Sequence, residues 1–136
     1  MKLEGYAWNK HEQKMKTEQT EFKYSNPKIK IVDNIELRNE IEVTLEKIPQ
    51  KFLAQWALGV ASVYLDHLES QSNVSKYSAR SFAQAIGTGH MRGHALVSSD
   101  YAIKVRNLLT ENSLDASTEE RVRQLRIIDE LLNKCI

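Results

Sequence analysis

Phe52-Leu53-Ala54-Gln55-Trp56-Ala57-Leu58-Gly59-Val60-Ala61-Ser62-Val63-Tyr64-Leu65-Asp66-His67-Leu68 is the stretch whose reading decides the fold. Phe52, Leu53, Trp56, Ala57, Val60, Ala61, Tyr64, Leu65 and Leu68 recur at steps of three and four, which lines them along one broad side of a helix. Gly59 inside that stripe costs roughly 1 kcal/mol relative to Ala, so its presence points to close packing by another helix.

The same period extends outward in both directions. Upstream, Asp33 with Glu36 has the form of a capping box, Leu37, Ile41 and Leu45 follow at every fourth residue, and Pro49 closes that helix or opens the next. Downstream, polar residues from Glu69 to Ser75 form a connection. A third helical region then carries Phe82, Ala85, Ile86, Leu96, Val97, Tyr101, Val105 and Leu108 as its inner face. Gly87, Gly89 and Gly93 interrupt this region and either kink one helix or divide it into two. Ser113-Leu114-Asp115-Ala116 reads as a loop, Ser117 with Glu120 as a second capping box, and Val122, Leu125, Ile128 and Leu132 as the inner face of a last helix. The expected fold is all-α, a compact bundle of four to five helices over residues 33–136. Residues 1–32 form an N-terminal arm, extended or folded into a short hairpin where Phe22/Tyr24 and Ile29/Ile31 flank Asn26-Pro27.

Composition agrees. The 136 residues fit one domain, and 41% hydrophobic with 27% charged residues is a globular balance. A chain of this length buries enough surface to fold without a disulfide or a metal. Only five Gly and two Pro interrupt it. The net charge of +1 is uneven. Residues 1–30 hold seven Lys against four Glu, and residues 31–136 hold twelve Lys and Arg against fourteen Asp and Glu. A mildly acidic body argues against nucleic acid as partner, because duplex binding rests on neutralising phosphates. The single cysteine, Cys135, gives no sign of an oxidising compartment, and its place at a chain end makes it a poor preorganised nucleophile. No signal sequence and no apolar run of about 18 residues is seen, so the expectation is a cytoplasmic protein with no membrane partner.

Few residues carry a chemical signature. His90 and His94 share a helix face at the four-residue spacing of two metal ligands, but Met91-Arg92-Gly93 between them lacks the Glu of an H-E-x-x-H site. A metal-dependent enzyme at His90/His94 is one alternative; two histidines at a helix–helix contact are the preferred account of the pair, and no metal or other cofactor is expected. Gly87 to Gly93 lacks the preceding strand and following Gly-Lys-Ser/Thr of a phosphate loop. Phe82 to Gly87 fits the opening of a helix-turn-helix, with Ala83 and Gly87 at the turn positions. Gly93 then falls where the second helix needs an apolar anchor, which leaves a small DNA-binding regulator as the other alternative. The lysine-rich aromatic segment bearing Tyr6, Trp8, Phe22 and Tyr24 could stack on bases or meet an acidic partner. Asp66, Glu69 and Asp100 read as ordinary helix-surface carboxylates. No Ser-His-Asp or Cys-His arrangement is apparent.

The run His90-Met91-Arg92-Gly93-His94-Ala95-Leu96-Val97-Ser98-Ser99-Asp100-Tyr101-Ala102-Ile103-Lys104-Val105 resembles a bacterial family whose immunity role is inferred from polymorphic-toxin systems. Members often read H-x-x-x-H-A-L and then Y-A-x-K in a late helix. Leu53-Ala54-Gln55-Trp56-Ala57 is similar to the family's early L-A-x-W-A helix, and Glu119 to Leu125 to its E-E-R-x-x-Q segment. The likeness spans roughly residues 51–69 and 79–134. The family's D-x-R-P segment and an additional helix have no counterpart here. The resemblance implies an all-helical, non-enzymatic protein that binds a toxin protein and occludes it. His90, Arg92, His94, Asp100, Tyr101 and Lys104 are the polar candidates for the partner-binding face. A helix interface or a homo-oligomer contact is the competing account of the same residues.

Overall fold

The computed structural model describes residues 22–68, 72–88 and 93–134. His90, Arg92, Gly89 and Cys135 lie outside them, as does the part of the expected N-terminal arm before Phe22. Helix α1 spans Ile35–Leu45, α2 Gln50–Ser62, α3 Asn73–Gly87, α4 Gly93–Leu109 and α5 Leu114–Asn133, with one 3-10 turn at Leu65–His67. Among the described residues there is no strand, so the fold is the expected all-α bundle. Residues 22–34 precede α1 without pairing as a hairpin. No helix among the described residues is long and apolar enough to cross a membrane.

Helix boundaries follow local chemistry, with two corrections to the sequence reading. Asn34, not Asp33, caps α1: its Oδ1 accepts from the Leu37 N–H at 3.1 Å. Asp33 is turned into the interior instead. Ser113 caps α5 by accepting from the Ala116 N–H at 3.2 Å, so Leu114 to Ala116 form its first turn and Ser117 and Glu120 lie within the helix. The glycine-rich run divides the third region in two: α3 ends at Gly87 and α4 starts at Gly93.

Helices α3 and α4 pair as an antiparallel hairpin. Gln84 meets His94, Ser81 meets Ser98, and Tyr77 meets Tyr101, each step back along α3 matched by a step forward along α4. Ser81 and Ser98 exchange hydroxyl-to-carbonyl bonds of 2.9 and 2.6 Å, which lets the backbones approach without stranding a polar atom. Contact persists over about two turns of each helix, whereas a helix-turn-helix crosses at about 90–120° and separates quickly.

Helix α4 is the central element and touches all four other helices. Its buried positions, from Ala95 through Ser98, Ser99, Asp100, Ala102, Ile103 and Val105 to Asn107, surround most of its circumference. Trp56, Leu53, Val60 and Ala57 of α2 pack with Ile41, Leu45, Ala95, Ala102, Val105 and Ile128 into the apolar core. Gly59 faces Ile127 of α5, but a Cβ there would meet that side chain only at an ordinary 3.5 Å, so the helix packing does not demand the glycine its sequence position suggested. Helix α2 ends at Ser62, short of the expected Leu68, and five expected core residues face outward: Leu65 is 42% exposed, Leu68 37%, Ile86 61%, Val122 44% and Leu132 37%. In α5 their place is taken by Ser117, Glu120, Arg121 and Gln124, all buried.

Candidate functional site

Polar residues that repeat at helical spacing on an inward face must find partners inside the protein, because a buried charge left unpaired is strongly unfavourable. Arg121, fully buried, shows how completely this is met. A guanidinium has five N–H donors. Those of Arg121 reach Asp33 (3.0 and 2.7 Å), Asp100 (2.7 Å), Ser99 Oγ (3.0 Å) and Gln124 Oε1 (2.9 Å). Arg38 of α1 grips the other side of Asp100 through two bonds of 2.9 and 2.8 Å and donates to the Ser25 carbonyl at 2.7 Å. Two arginines and two aspartates thus alternate across α1, α4, α5 and the segment before α1, with Glu42 at 3.8 Å from Arg38 on the edge of the network. Burial opposes the charge of Arg38, yet the carboxylates of Asp100, Glu42 and Asp33 together more than offset it and hold the arginine pKa above its ordinary value. Asp100, read from sequence as a surface carboxylate, is 3% exposed.

The network continues through Gln124, whose Nε2 donates to Glu120 at 2.9 Å. Glu120 accepts from the Tyr64 hydroxyl at 2.6 Å and from two nitrogens of Arg123 at 3.0 and 2.9 Å. Burial, reinforced by the negative charge of Glu120, pushes the Tyr64 phenol pKa up. These groups are satisfied by one another and brace the helices in a single register; buried ionic networks are best understood as fixing arrangement rather than adding large stability.

The segment before α1 is stapled to this frame. Asn107 mimics a strand neighbour: its Oδ1 accepts from the Val32 N–H at 2.8 Å and its Nδ2 donates to the Val32 carbonyl at 2.9 Å. Ser117 donates to the same carbonyl at 2.6 Å. A cleft of about 320 Å³ opens between this segment, α1 and α4, with Asp100 and Arg38 in its floor and Lys28, Glu42 and His94 on its walls. Nδ1 of His94 is bonded to Gln84 Oε1.

Along the α3–α4 hairpin the half-buried Tyr77, which packs against the core, stacks on Tyr101 with ring centroids 6.0 Å apart and planes inclined by 26°. Three cations surround the Tyr77 ring: Lys76 Nζ at 5.4 Å, Arg80 Cζ at 5.4 Å and Lys104 Nζ at 5.6 Å from its centroid. Each such contact contributes about 0.5–1 kcal/mol at an exposed site. Lys104 also donates to the Lys30 carbonyl at 3.1 Å, which brings the preceding segment alongside. Helix α3 contains no Asp or Glu, and the sole carboxylate of α4 is the buried Asp100. Among the described residues none of the three cations is ion-paired.

The candidate residues therefore separate. Tyr101 and Lys104 share the cationic tyrosine face, His94 lies at the cleft, and Asp100 is inside the ionic frame. Lys76, Tyr77 and Arg80 were missed from sequence, although a fifteen-residue helix free of carboxylates is a visible signal. Arg38, Asn107 and Arg121 were also missed, since a buried arginine and a surface arginine look alike in a sequence.

Residues 68–131 match the model of a family described as Imm-5 like putative immunity protein. The match takes in α3, α4 and most of α5, and so the ionic frame's Asp100 and Arg121 and the whole tyrosine face. It bears out the resemblance carried by the His94-to-Val105 run and the Glu119-to-Leu125 segment; the Leu53-to-Ala57 motif lies before it. No curated protein and no solved structure matches the chain.

Proposed function

We propose that this chain is a non-enzymatic binding protein that neutralises a cognate bacterial toxin in the cytoplasm by covering the toxin's active surface. The observation that carries this reading is the match to an immunity-type family over α3 to α5. The physical character of that region supports it. Its buried Asp100, Glu120 and Arg121 are tied to Asp33, Arg38 and Tyr64, which braces α3 to α5 as a scaffold, and Lys76 and Arg80 stand exposed beside the half-buried Tyr77–Tyr101 stack. Tyr side chains bring large contact area with little loss of rotamer freedom, and interfaces are enriched in Tyr and Arg.

The test is co-expression with the product of the toxin gene adjacent in the source genome. Growth protection together with a stoichiometric complex in gel filtration is the expected result. Unprotected cells, with both proteins expressed and folded, would overturn the proposal.

A further inference from the structure

Resting on that reading, we propose that the α3–α4 face seats an acidic protein surface, with partner carboxylates entering between Lys76, Arg80 and Lys104 around the Tyr77–Tyr101 stack. Three cations lie within 5.6 Å of one ring centroid. Among the described residues no carboxylate lies within ion-pair distance of any of the three. The preceding segment adds exposed Lys30, whose carbonyl accepts from Lys104. Carboxylates are instead gathered elsewhere: Glu36, Glu40 and Glu42 on α1, and Asp115, Glu119, Asp129 and Glu130 on α5. Helices α3 and α4 thus expose cations with no exposed carboxylate of their own, and a surface of one sign guides encounter with a complementary one.

Nucleic acid fits the face less well. Base binding needs open aromatic rings, and Tyr77 already has Tyr101 and three cations around it. A backbone tract long enough to gain from phosphate neutralisation would also run toward the acidic helices.

The experiment uses the full chain and two probes. The first is a twelve-residue glutamate peptide followed by amide chemical-shift mapping of labelled protein. Shifts centred on Tyr77, Arg80, Tyr101 and Lys104, weakened about tenfold or more between roughly 50 and 300 mM NaCl, are expected. Shifts spread over other faces, or none, overturn the proposal, as does tighter binding of a twenty-base duplex or single strand at the same residues. The second probe is the adjacent gene's toxin. In the double variant Lys76→Glu, Arg80→Glu both substituted side chains are exposed, and circular dichroism checks the fold; Lys104→Gln provides an independent, milder change. Loss of protection by the double variant and a weaker complex with Lys104→Gln are expected. If the unaltered chain protects and both variants protect equally, this face is not the docking surface. Peptide binding here without any protection by the unaltered chain would instead count against the toxin-neutralising role alone.

Discussion

Arg121 of α5 and Asp33, 88 positions earlier in the chain, are joined by contacts of 2.7, 3.0 and 3.2 Å, and neither side chain reaches solvent. Removing one member of such a pair leaves the other as a buried, unpaired charge, which typically costs about 3–5 kcal/mol. Arg121→Met should therefore lower unfolding free energy by about that amount in urea titration. Asp33→Asn, which keeps an acceptor for Arg121, should lower it by less. Equal and small losses for both variants would contradict the central role of the pair.

Asn107 holds the Val32 N–H and carbonyl together. An apolar replacement leaves backbone groups short of partners, at about 1–3 kcal/mol for each buried group left unmade. Ser117 still reaches the carbonyl, so the loss should be local rather than global. Asn107→Ala should speed tryptic cleavage at Lys23, Lys28 and Lys30 and hydrogen exchange before α1, with α3 unchanged. Unaltered cleavage would show that the ionic frame alone secures the segment.

How far the sequence discloses this molecule depends on which residues carry the period. Where apolar side chains carry it, as from Leu53 to Tyr64, the helix and its buried side are both legible. In α5 the same spacing is carried by Ser117, Glu120, Arg121, Gln124 and Ile128. A rule that sends apolar residues inward chose Val122 and Leu132 there, and both are exposed. The inward choice depends on Asp33 and Asp100 meeting Arg121 from distant positions, a coincidence no local window contains. The candidate site divides in the same way. Tyr101 and Lys104 are legible from a motif, whereas Tyr77 and Arg80 join them only once the α3–α4 hairpin sets its register.

Gly59 gives a stabilising prediction. A methyl group added there would meet Ile127 Cγ2 at 3.5 Å, an ordinary packing distance. Its neighbours need not move, while the helix gains the propensity that glycine lacks. Gly59→Ala should raise stability by about 0.5–1 kcal/mol, read from the denaturation midpoint at unchanged slope. A destabilised variant would mean that α2 and α5 approach more closely than this geometry allows.

Tyr64 links stability to alkaline pH. Its phenol donates to Glu120 at 2.6 Å and is buried, so the folded state favours the neutral form and raises the pKa. In the unfolded chain the phenol ionises near its ordinary value of about 10. The stabilisation is therefore complete below that pH and declines as pH rises toward the higher folded value, by up to about 1.4 kcal/mol per pH unit for one proton. At pH 7, Tyr64→Phe should be less stable by about 1.5–3 kcal/mol, the range for a hydrogen bond to a charged group. Above pH 10 the wild type should lose stability faster than the variant, and the difference between them should close. Paired urea titrations at neutral and alkaline pH measure that difference directly, with the other tyrosines common to both proteins. A gap that stays constant through pH 11 would mean that Tyr64 ionises as readily folded as unfolded, against the burial and the Glu120 contact that place it here.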